Sequence, residues 1–223
     1  NRTLAVVVST PAVGGTATSN QTICSGSTPT SLTLTGNTGT IQWQSSIDNI
    51  AFTNISGATS ATLTGTTIGA LTTTRYYRAL ITGGCSTATS NIITITVNST
   101  SIGGTASGNQ TICSGATPAS LTLIGNTGTI QWQSSTDNIT FTNISGATSA
   151  TLTGATIGTL TATKYFRAVS TNGVCASANS NTVTITMGGT STWNGTSWDV
   201  APDSTTSLIF NGNYNSTTDL VGC

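Results

Sequence analysis

The sequence predicts an all-β protein made of small β-sandwich modules in tandem. Three observations predict this fold class: an internal repeat with an offset of 89 residues, short threonine-rich segments that alternate apolar and polar residues, and two cysteines at equivalent places in each repeat. The charge is balanced, with five basic and five acidic side chains and no histidine. Since no basic patch can neutralise phosphates, nucleic-acid binding is not expected.

The repeat aligns residues 14–84 with residues 103–173 without a gap, and 56 of the 71 positions are identical. One residue is then inserted before the second cysteine of the later copy. A period this long indicates tandem domains, because solenoid repeats run from about 20 to 50 residues. The length of the unit suits a small β-sandwich.

The same offset predicts the domain boundaries. We expect the last strand of a preceding module in 1–11, a first module in 12–99, a second module in 100–188, and the start of a further β-rich domain in 189–223. The chain is therefore interpreted as a section of a longer protein. Because the joints between modules are short, the modules are expected to form an elongated, semi-rigid string.

Each copy carries five strand signals, separated by turn residues such as the GNTG and SGAT segments. Alternation places Leu32 and Leu34 on one face of their strand, with threonines on the other. No segment shows helical periodicity. In the first copy the predicted strands are Ser31–Gly36, Thr40–Ser46, Ala61–Gly65, Thr74–Thr82 and Asn91–Val97.

Four aromatic side chains at equivalent positions are predicted core anchors: Trp43, Trp132, Tyr76 and Tyr165. Each tryptophan stands in mid-strand between two glutamines, which favours a buried ring, and an exposed ligand-stacking ring is the alternative. Each tyrosine is followed by a second ring, Tyr77 in the first copy and Phe166 in the second. Which ring of each pair faces inward stays open at the level of sequence.

The chain has five cysteines: Cys24, Cys85, Cys113, Cys175 and Cys223. Pairing within modules is the economical interpretation, which gives one internal disulfide per module, Cys24–Cys85 and Cys113–Cys175. Free thiols and a metal site are the alternatives, and the absence of histidine and of a CxxC motif argues against metal. Disulfides indicate a secreted or surface protein. Cys223 is unpaired in this window, with a partner either beyond the window or in another molecule.

No catalytic, cofactor or metal site is predicted. Without histidine or glutamate, Ser-His-Asp and Cys-His arrangements are impossible. No run of about 18 apolar residues is present, so no membrane span is expected in this window. Near the end of the chain, Trp193 and Trp198 lie in a segment rich in Gly and Asn and are candidates, together with Tyr214, for stacking on sugars. Packing of these rings at the start of a new domain is the alternative.

The phrase IQWQSS.DN..FTNISGAT, followed by YYRA or YFRA and a Gly-Cys loop, resembles the tandem immunoglobulin-like (Ig-like) repeats of giant surface adhesins from Bacteroidota. These include gliding-associated proteins exported by the type IX secretion system. The segment TWNGTSWDVAPDSTTSLIFNGNYN is similar to one that follows such repeats. The resemblance implies Ig-like modules, export, surface attachment and a role in adhesion or motility. It also implies O-glycosylation at DS/T motifs, which makes Ser204 a candidate, with a chance match as the alternative.

Two classes of function follow from these observations. The first is an extracellular structural or adhesive segment that forms a stalk or filament on the bacterial surface and associates with copies of itself, since zero net charge removes mutual repulsion. The second is a set of carbohydrate-binding modules that recognise surface polysaccharide for a larger secreted protein. A spacer without any binding partner is a third hypothesis.

Overall fold

The computed structural model describes residues 10–18, 20–199 and 203–211, and it confirms the all-β fold class and the two tandem sandwiches. The predicted strand before Thr10 lies outside the described residues, as do Tyr214 and Cys223. The chain divides into two compact units: Asn1–Thr100 with Gly173–Cys175, and Ser101–Asn172 with Ala176–Cys223.

The first unit is a sandwich of two sheets. The smaller sheet has the strand order β1-β3-β6, and the larger has β2-β9-β7-β4-β5, with β8 also paired to β7. The bounds of these elements are β1 Thr16–Ala17, β2 Gln21–Cys24, β3 Leu32–Thr35, β4 Thr40–Ser46, β5 Thr53–Asn54, β6 Thr62–Leu63, α1 Gly65–Ile68, β7 Arg75–Thr82, β8 Thr87–Thr89 and β9 Ile93–Asn98.

The second unit repeats this plan. Its smaller sheet has the order β10-β12-β15, and its larger sheet has β11-β18-β16-β13-β14, with β17 paired to β16. A further parallel pair, β19-β20, follows the repeat. The bounds are β10 Thr105–Ser107, β11 Gln110–Ile112, β12 Leu121–Ile124, β13 Thr129–Ser135, β14 Thr142–Asn143, β15 Thr151–Leu152, α2 Gly154–Ile157, β16 Lys164–Thr171, β17 Ala178–Asn179, β18 Val183–Met187, β19 Thr190–Trp193 and β20 Ser207–Phe210.

The period-2 pattern of the strands builds each core. In β3, Leu32 and Leu34 are buried while the threonines between them are exposed. They pack with Trp43 of β4, which is fully buried, and with the inward side chains of β7 and β9. Burying such side chains stabilises each sandwich by about 1.5–3 kcal/mol apiece.

The short helices α1 and α2 are single turns, so they carry no helical periodicity that a sequence could show. Thr64 caps α1 by accepting a hydrogen bond from the backbone N–H of Thr67 at 3.2 Å, and Thr153 caps α2 in the same way. A hydroxyl at this position satisfies a backbone donor that the helix leaves unpaired.

Each larger sheet contains one parallel pair of strands. In the first unit β2 runs parallel to β9, and in the second unit β11 runs parallel to β18. Cys24, at the end of β2, is paired with Asn98 at the end of β9. In the second unit, β11 pairs with β18 in the same parallel register, Ile112 opposite Met187. This parallel pairing determines where the first cysteine of each repeat lies.

Candidate functional site: the Cys24–Cys175 disulfide

One disulfide joins Cys24 to Cys175, with 5.0 Å between the two Cα atoms and a sequence separation of 151. It connects the first repeat to the second repeat. The predicted pairs Cys24–Cys85 and Cys113–Cys175 are therefore wrong, and so is the expectation of one internal disulfide in each module.

The register of the larger sheet explains why Cys24 does not pair with Cys85. Cys24 lies beside the end of β9, and β9 is antiparallel to β7, with Arg75 opposite Ile95. Cys24 is thus at the end of the sheet where β7 begins, whereas Cys85 follows the end of β7. Eight residues of strand separate these two ends by about 25 Å, far beyond the roughly 7 Å that a disulfide allows between Cα atoms.

The segment Gly173–Cys175 belongs by sequence to the second repeat but lies in the first compact unit. Cys175 is buried there, and its Sγ lies 3.6 Å from the carbonyl oxygen of Asn98 and 3.2 Å from that of Ser99. Gly173 has a φ of +55°, and a Cβ at this position would overlap the side-chain amide of Asn98. The positive φ favours glycine at this position.

The other cysteines have different surroundings. Cys85 is exposed in the loop after β7. Cys113 is disulfide-bonded, and its Sγ lies 3.9 Å from the carbonyl oxygen of Ser204, within the second unit. Cys223 is outside the described residues.

The predicted core anchors divide into two groups. Trp43 and Trp132 are fully buried, and each indole N–H donates a hydrogen bond of 2.9 Å to a backbone carbonyl, of Ser60 and Ser149 respectively. The prediction for Tyr76 and Tyr165 is wrong, because both are only half-buried.

The neighbouring rings, Tyr77 and Phe166, occupy the core instead. Trp43 lies opposite Ala79 in the β4–β7 ladder, so position 77 shares the inward face and position 76 points the other way. The change from Tyr77 to Phe166 was a usable signal, since a ring that loses its hydroxyl between copies is typical of a buried position.

The two tryptophans predicted to stack on sugars contact one another. The ring centroids of Trp193 and Trp198 are 5.6 Å apart with a tilt of 57°, and Trp198 meets the edge of Phe210 at 5.3 Å. Both tryptophans are half-buried, as expected for packing at the start of the β19-β20 segment. Ser204, the candidate for O-glycosylation, is exposed in the turn before β20.

Two aspartates form matching turns in the two repeats. The carboxylate of Asp48 accepts hydrogen bonds from the backbone of Ile50 and Ala51 and from the Ser46 hydroxyl, at 2.7–2.9 Å. These bonds, the one from Ile50 foremost, lower the pKa of Asp48 to about 2. The Ser135 hydroxyl, together with the backbone of Ile139, likewise lowers the pKa of Asp137.

A third aspartate is held in the same manner near the end of the described chain. The hydroxyl of Thr206 and the backbone and hydroxyl of Thr205 donate to Asp203, and together they lower its pKa. These carboxylates accept hydrogen bonds from the backbone and thereby stabilise turns.

Among residues 10–18, 20–199 and 203–211, no group of three or more His, Cys, Asp or Glu is placed to hold a metal ion. None of the helices in the same ranges has the length and apolar character needed to cross a membrane.

A family model described as "Domain of unknown function (DUF8696)" matches the chain twice, at residues 13–99 and 102–189. The two matches cover most of the chain and coincide with the two repeats. The chain therefore belongs to this family and contains two copies of its domain. The curated proteins contain no match to the chain.

Solved structures show the Ig-like fold. Domains A168–A170 of titin superpose with a TM-score of 0.51 at 11% identity, covering 77% of this chain and 65% of the titin segment. The four N-terminal Ig domains of Dscam1 isoform 6.9 match at 15% identity and a TM-score of 0.39, covering 82% of this chain and 47% of theirs. Ig domains 1–5 of Sidekick-1 match at 14% and 0.25, covering 78% and 41%. The chain thus spans less than two thirds of each of these structures.

Proposed function

We propose that this chain is a tension-bearing segment of an extracellular structural or adhesive protein, of the Bacteroidota surface-adhesin type that its sequence resembles. In this role the repeats serve as a stalk outside the cell. The observation that carries the proposal is the disulfide between Cys24 and Cys175, which closes a covalent loop containing most of both repeats.

The consequence of this loop is topological. When the chain is pulled from points outside the loop, the shortest covalent path runs from Cys24 directly across the sulfurs to Cys175. The sequence separation of 151 leaves 150 residues between the two cysteines. These residues cannot be drawn out while the bond is intact, even if both sandwiches unfold.

The presence of a disulfide and the similarity of the two repeats support the same role. A disulfide is stable in the oxidising environment outside the cell and rare in the cytosol. The two repeats are identical at 56 of the 71 positions that align without a gap, as suits a function that depends on repetition. A specialised ligand site in one copy would instead favour divergence around that site.

Force spectroscopy on the full chain, held at its two ends, tests the proposal. We expect the oxidised chain to extend without the contribution of the 150 enclosed residues. Because Cys113 is also disulfide-bonded, the comparison is made in a Cys113→Ser background. There, Cys24→Ser should release an additional contour length of about 500 Å, at about 3.4 Å per extended residue. Cys85→Ser is the matched control and should extend like the parent chain. Equal extension of the oxidised parent and Cys24→Ser would refute the tension-bearing role.

Self-association is the partner interaction that we propose for this stalk. The formal net charge is zero, so copies do not repel one another. Ile50 and Ile139, 84% and 83% exposed, are presented to solvent by the two aspartate turns. Sedimentation of the parent and of an Ile50→Asp, Ile139→Asp double variant tests this contact, with Ile124→Asp as a control at another exposed isoleucine. A parent chain that stays monomeric at high concentration would refute it.

A further inference from the structure

We propose that the first repeat contains a binding site for a small monocarboxylate with a short aliphatic body. The site is a cavity of 220 Å³ lined by side chains of β4, of β7 and of the segment that contains α1. Arg75 and Tyr77 bind the carboxylate group, and aliphatic side chains of the wall contact the body of the ligand. This binding function goes beyond the tension-bearing role and uses none of the cysteines.

The two arginines of β7 differ in what their side chains contact. The Nε of Arg78 donates a hydrogen bond of 2.9 Å to Gln44, and its guanidinium lies over the ring of Phe52, 4.1 Å from the centroid. The guanidinium of Arg75, which lines the cavity, forms no hydrogen bond or ion pair with any residue that the structure describes. Since the donors of a guanidinium form a planar fork that matches a carboxylate, Arg75 is available to bind one from a ligand.

The acidic side chain close to Arg75 belongs to another element. Asp48 and Arg75 line a neighbouring cleft of 320 Å³. The Oδ1 of Asp48 accepts hydrogen bonds from Ser46, Ile50 and Ala51, and within residues 10–18, 20–199 and 203–211 no ion pair joins its carboxylate to Arg75. The charge of Arg75 is therefore not paired within the first repeat.

Tyr77 supplies a second donor to the same cavity. It follows Arg75 by two residues in β7, so both side chains lie on one face of the strand. Tyr77 is 3% exposed, and its hydroxyl has no hydrogen-bond partner among the described residues. Burial raises the pKa of the phenol, and the nearby charge of Arg75 acts in the opposite direction, so the hydroxyl keeps its proton at neutral pH. A buried polar group without a partner is unusual in proteins, and a ligand oxygen would provide one.

The rest of the wall is largely aliphatic. Leu71 is buried in the core of the first repeat, and Ile55 and Ile68 pack against that core. All three line the cavity, together with Ala70. The volume is below the roughly 300–1,000 Å³ of pockets for drug-sized ligands, so the ligand is small. A cation and a hydroxyl donor beside hydrocarbon walls are complementary to a short aliphatic carboxylate.

The second repeat provides a natural comparison, because it differs at this cavity more often than elsewhere. Across the aligned repeats 56 of 71 positions are identical, whereas only five of the eight lining residues are. The second repeat has Thr159, Lys164 and Phe166 at the positions of Ala70, Arg75 and Tyr77. These changes remove the phenol hydroxyl, replace the planar fork with an ammonium group and add bulk to the wall. The first repeat is therefore the one that binds, while most of its sequence is shared for the structural role.

Titration of the full chain with sodium pentanoate, followed by two-dimensional NMR at constant pH, tests the proposal. The backbone amide signals of Leu71, Arg75 and Tyr77 should shift in a saturable manner in the millimolar range. The equivalent signals of the second repeat should require concentrations at least about tenfold higher. Sodium chloride at matched ionic strength is the control. Equal affinities at the two repeats, shifts that sodium chloride reproduces, or no saturable shift at Arg75 would overturn the proposal.

Two analogues test the chemical class of the ligand. Pentanamide has the same body without the charge, and acetate has the charge without the longer body. Both should bind the first repeat more weakly than pentanoate. Pentanamide binding as tightly as pentanoate would refute the role of Arg75, and acetate binding as tightly would refute the role of the aliphatic wall.

Exchanging the residues that differ between the repeats tests the site without disturbing the fold, because each introduced residue already occupies the equivalent position of the other sandwich. Arg75→Lys with Tyr77→Phe should weaken pentanoate binding by about tenfold or more. The triple variant Thr159→Ala, Lys164→Arg, Phe166→Tyr should give the second repeat an affinity close to that of the first. The signals of the unaltered repeat report the integrity of the protein in each case. Unchanged affinity in the first variant, or no gain in the second, would contradict the proposed site and leave the tension-bearing role unaffected.

Discussion

The two repeats carry the same residue at most buried positions, and apart from the changes of Tyr77 to Phe166 and Ile93 to Val183 they differ at one further site, in the middle of the core. Ile81 of β7 and Ser170 of β16 are equivalent, and both are 0% exposed. The Ser170 hydroxyl has no hydrogen-bond partner among the described residues. A buried hydroxyl in this condition costs about 1–3 kcal/mol. The second copy thus keeps the same fold although its core contains a buried hydroxyl without a hydrogen bond. We therefore expect the second unit to have a lower free energy of unfolding than the first.

The largest effect on this comparison should come from the disulfide. Cys24→Ser removes a covalent loop across a separation of 151 residues, and the chain-entropy model assigns such a loop about 5 kcal/mol. Because the loop contains most of both repeats, hydrogen-exchange protection should fall in both β4 and β13. The two strands lie in peptides that differ at Ile47 and Thr136, so mass spectrometry separates them. A loss confined to one repeat would contradict the shared role of the bond.

The second-largest loss of stability should come from placing serine, the residue of the second repeat, at the equivalent buried position of the first repeat. Ile81→Ser removes a buried aliphatic side chain and leaves a hydroxyl in its place, so the free energy of unfolding of the first unit should fall by about 3–5 kcal/mol. Denaturant titration followed by exchange in β4 measures the loss. Ile92→Ser, at an exposed isoleucine, is the control and should change stability by less than about 0.5 kcal/mol.

The reciprocal change should produce a smaller gain. Ser170→Ile restores the apolar side chain that the first repeat carries at this site, and it removes the unpaired hydroxyl. Exchange protection of β13 should rise by about 1–3 kcal/mol, with β4 unchanged. No gain, or a loss, would mean that the second core has repacked around Ser170 and has no room for isoleucine.

The smallest effect should be the acid sensitivity that both repeats share. The folded-state pKa of Asp48 is about 2, below its usual value of 3.8, and that of Asp137 is also lowered. A lowered folded-state pKa stabilises the protein above about pH 4, and this stabilisation is lost as the pH falls toward 2. Urea midpoints measured from pH 5 to pH 2 should therefore decline. The decline should be shallower in an Asp48→Asn, Asp137→Asn variant, and identical slopes would contradict the role of these turns.

Much of the fold could be predicted from the sequence because alternating apolar and polar residues indicate half-buried strands. The segments around Leu32, Trp43 and Ile95 lie in strands close to their predicted bounds. The strands that sequence reasoning missed, such as β1 and β5, have only two residues each, too few to show a period. Their positions depend on neighbouring strands, since isolated two-residue strands have no stability of their own.

The cysteine pairing could not be obtained from spacing. Two cysteines per repeat are compatible with pairing inside a repeat and with pairing between repeats, and the choice depends on the parallel contact of β2 with β9. That contact joins residues more than 70 positions apart, Gln21 with Ile95, and leaves no local signature. The tyrosines illustrate the opposite situation, because counting in twos from Ile81 would have placed Tyr77 inside and Tyr76 outside.

The loop closed by Cys24 and Cys175 also affects what a single proteolytic cut does to the molecule. A single cut anywhere from Ser25 to Val174 opens the backbone but does not divide the molecule, since the two pieces stay joined through sulfur. A nicked chain therefore keeps its full mass on a non-reducing gel and separates into fragments only after reduction. Exposed turns such as the one at Ile50 can then be cleaved once while the two pieces stay covalently joined.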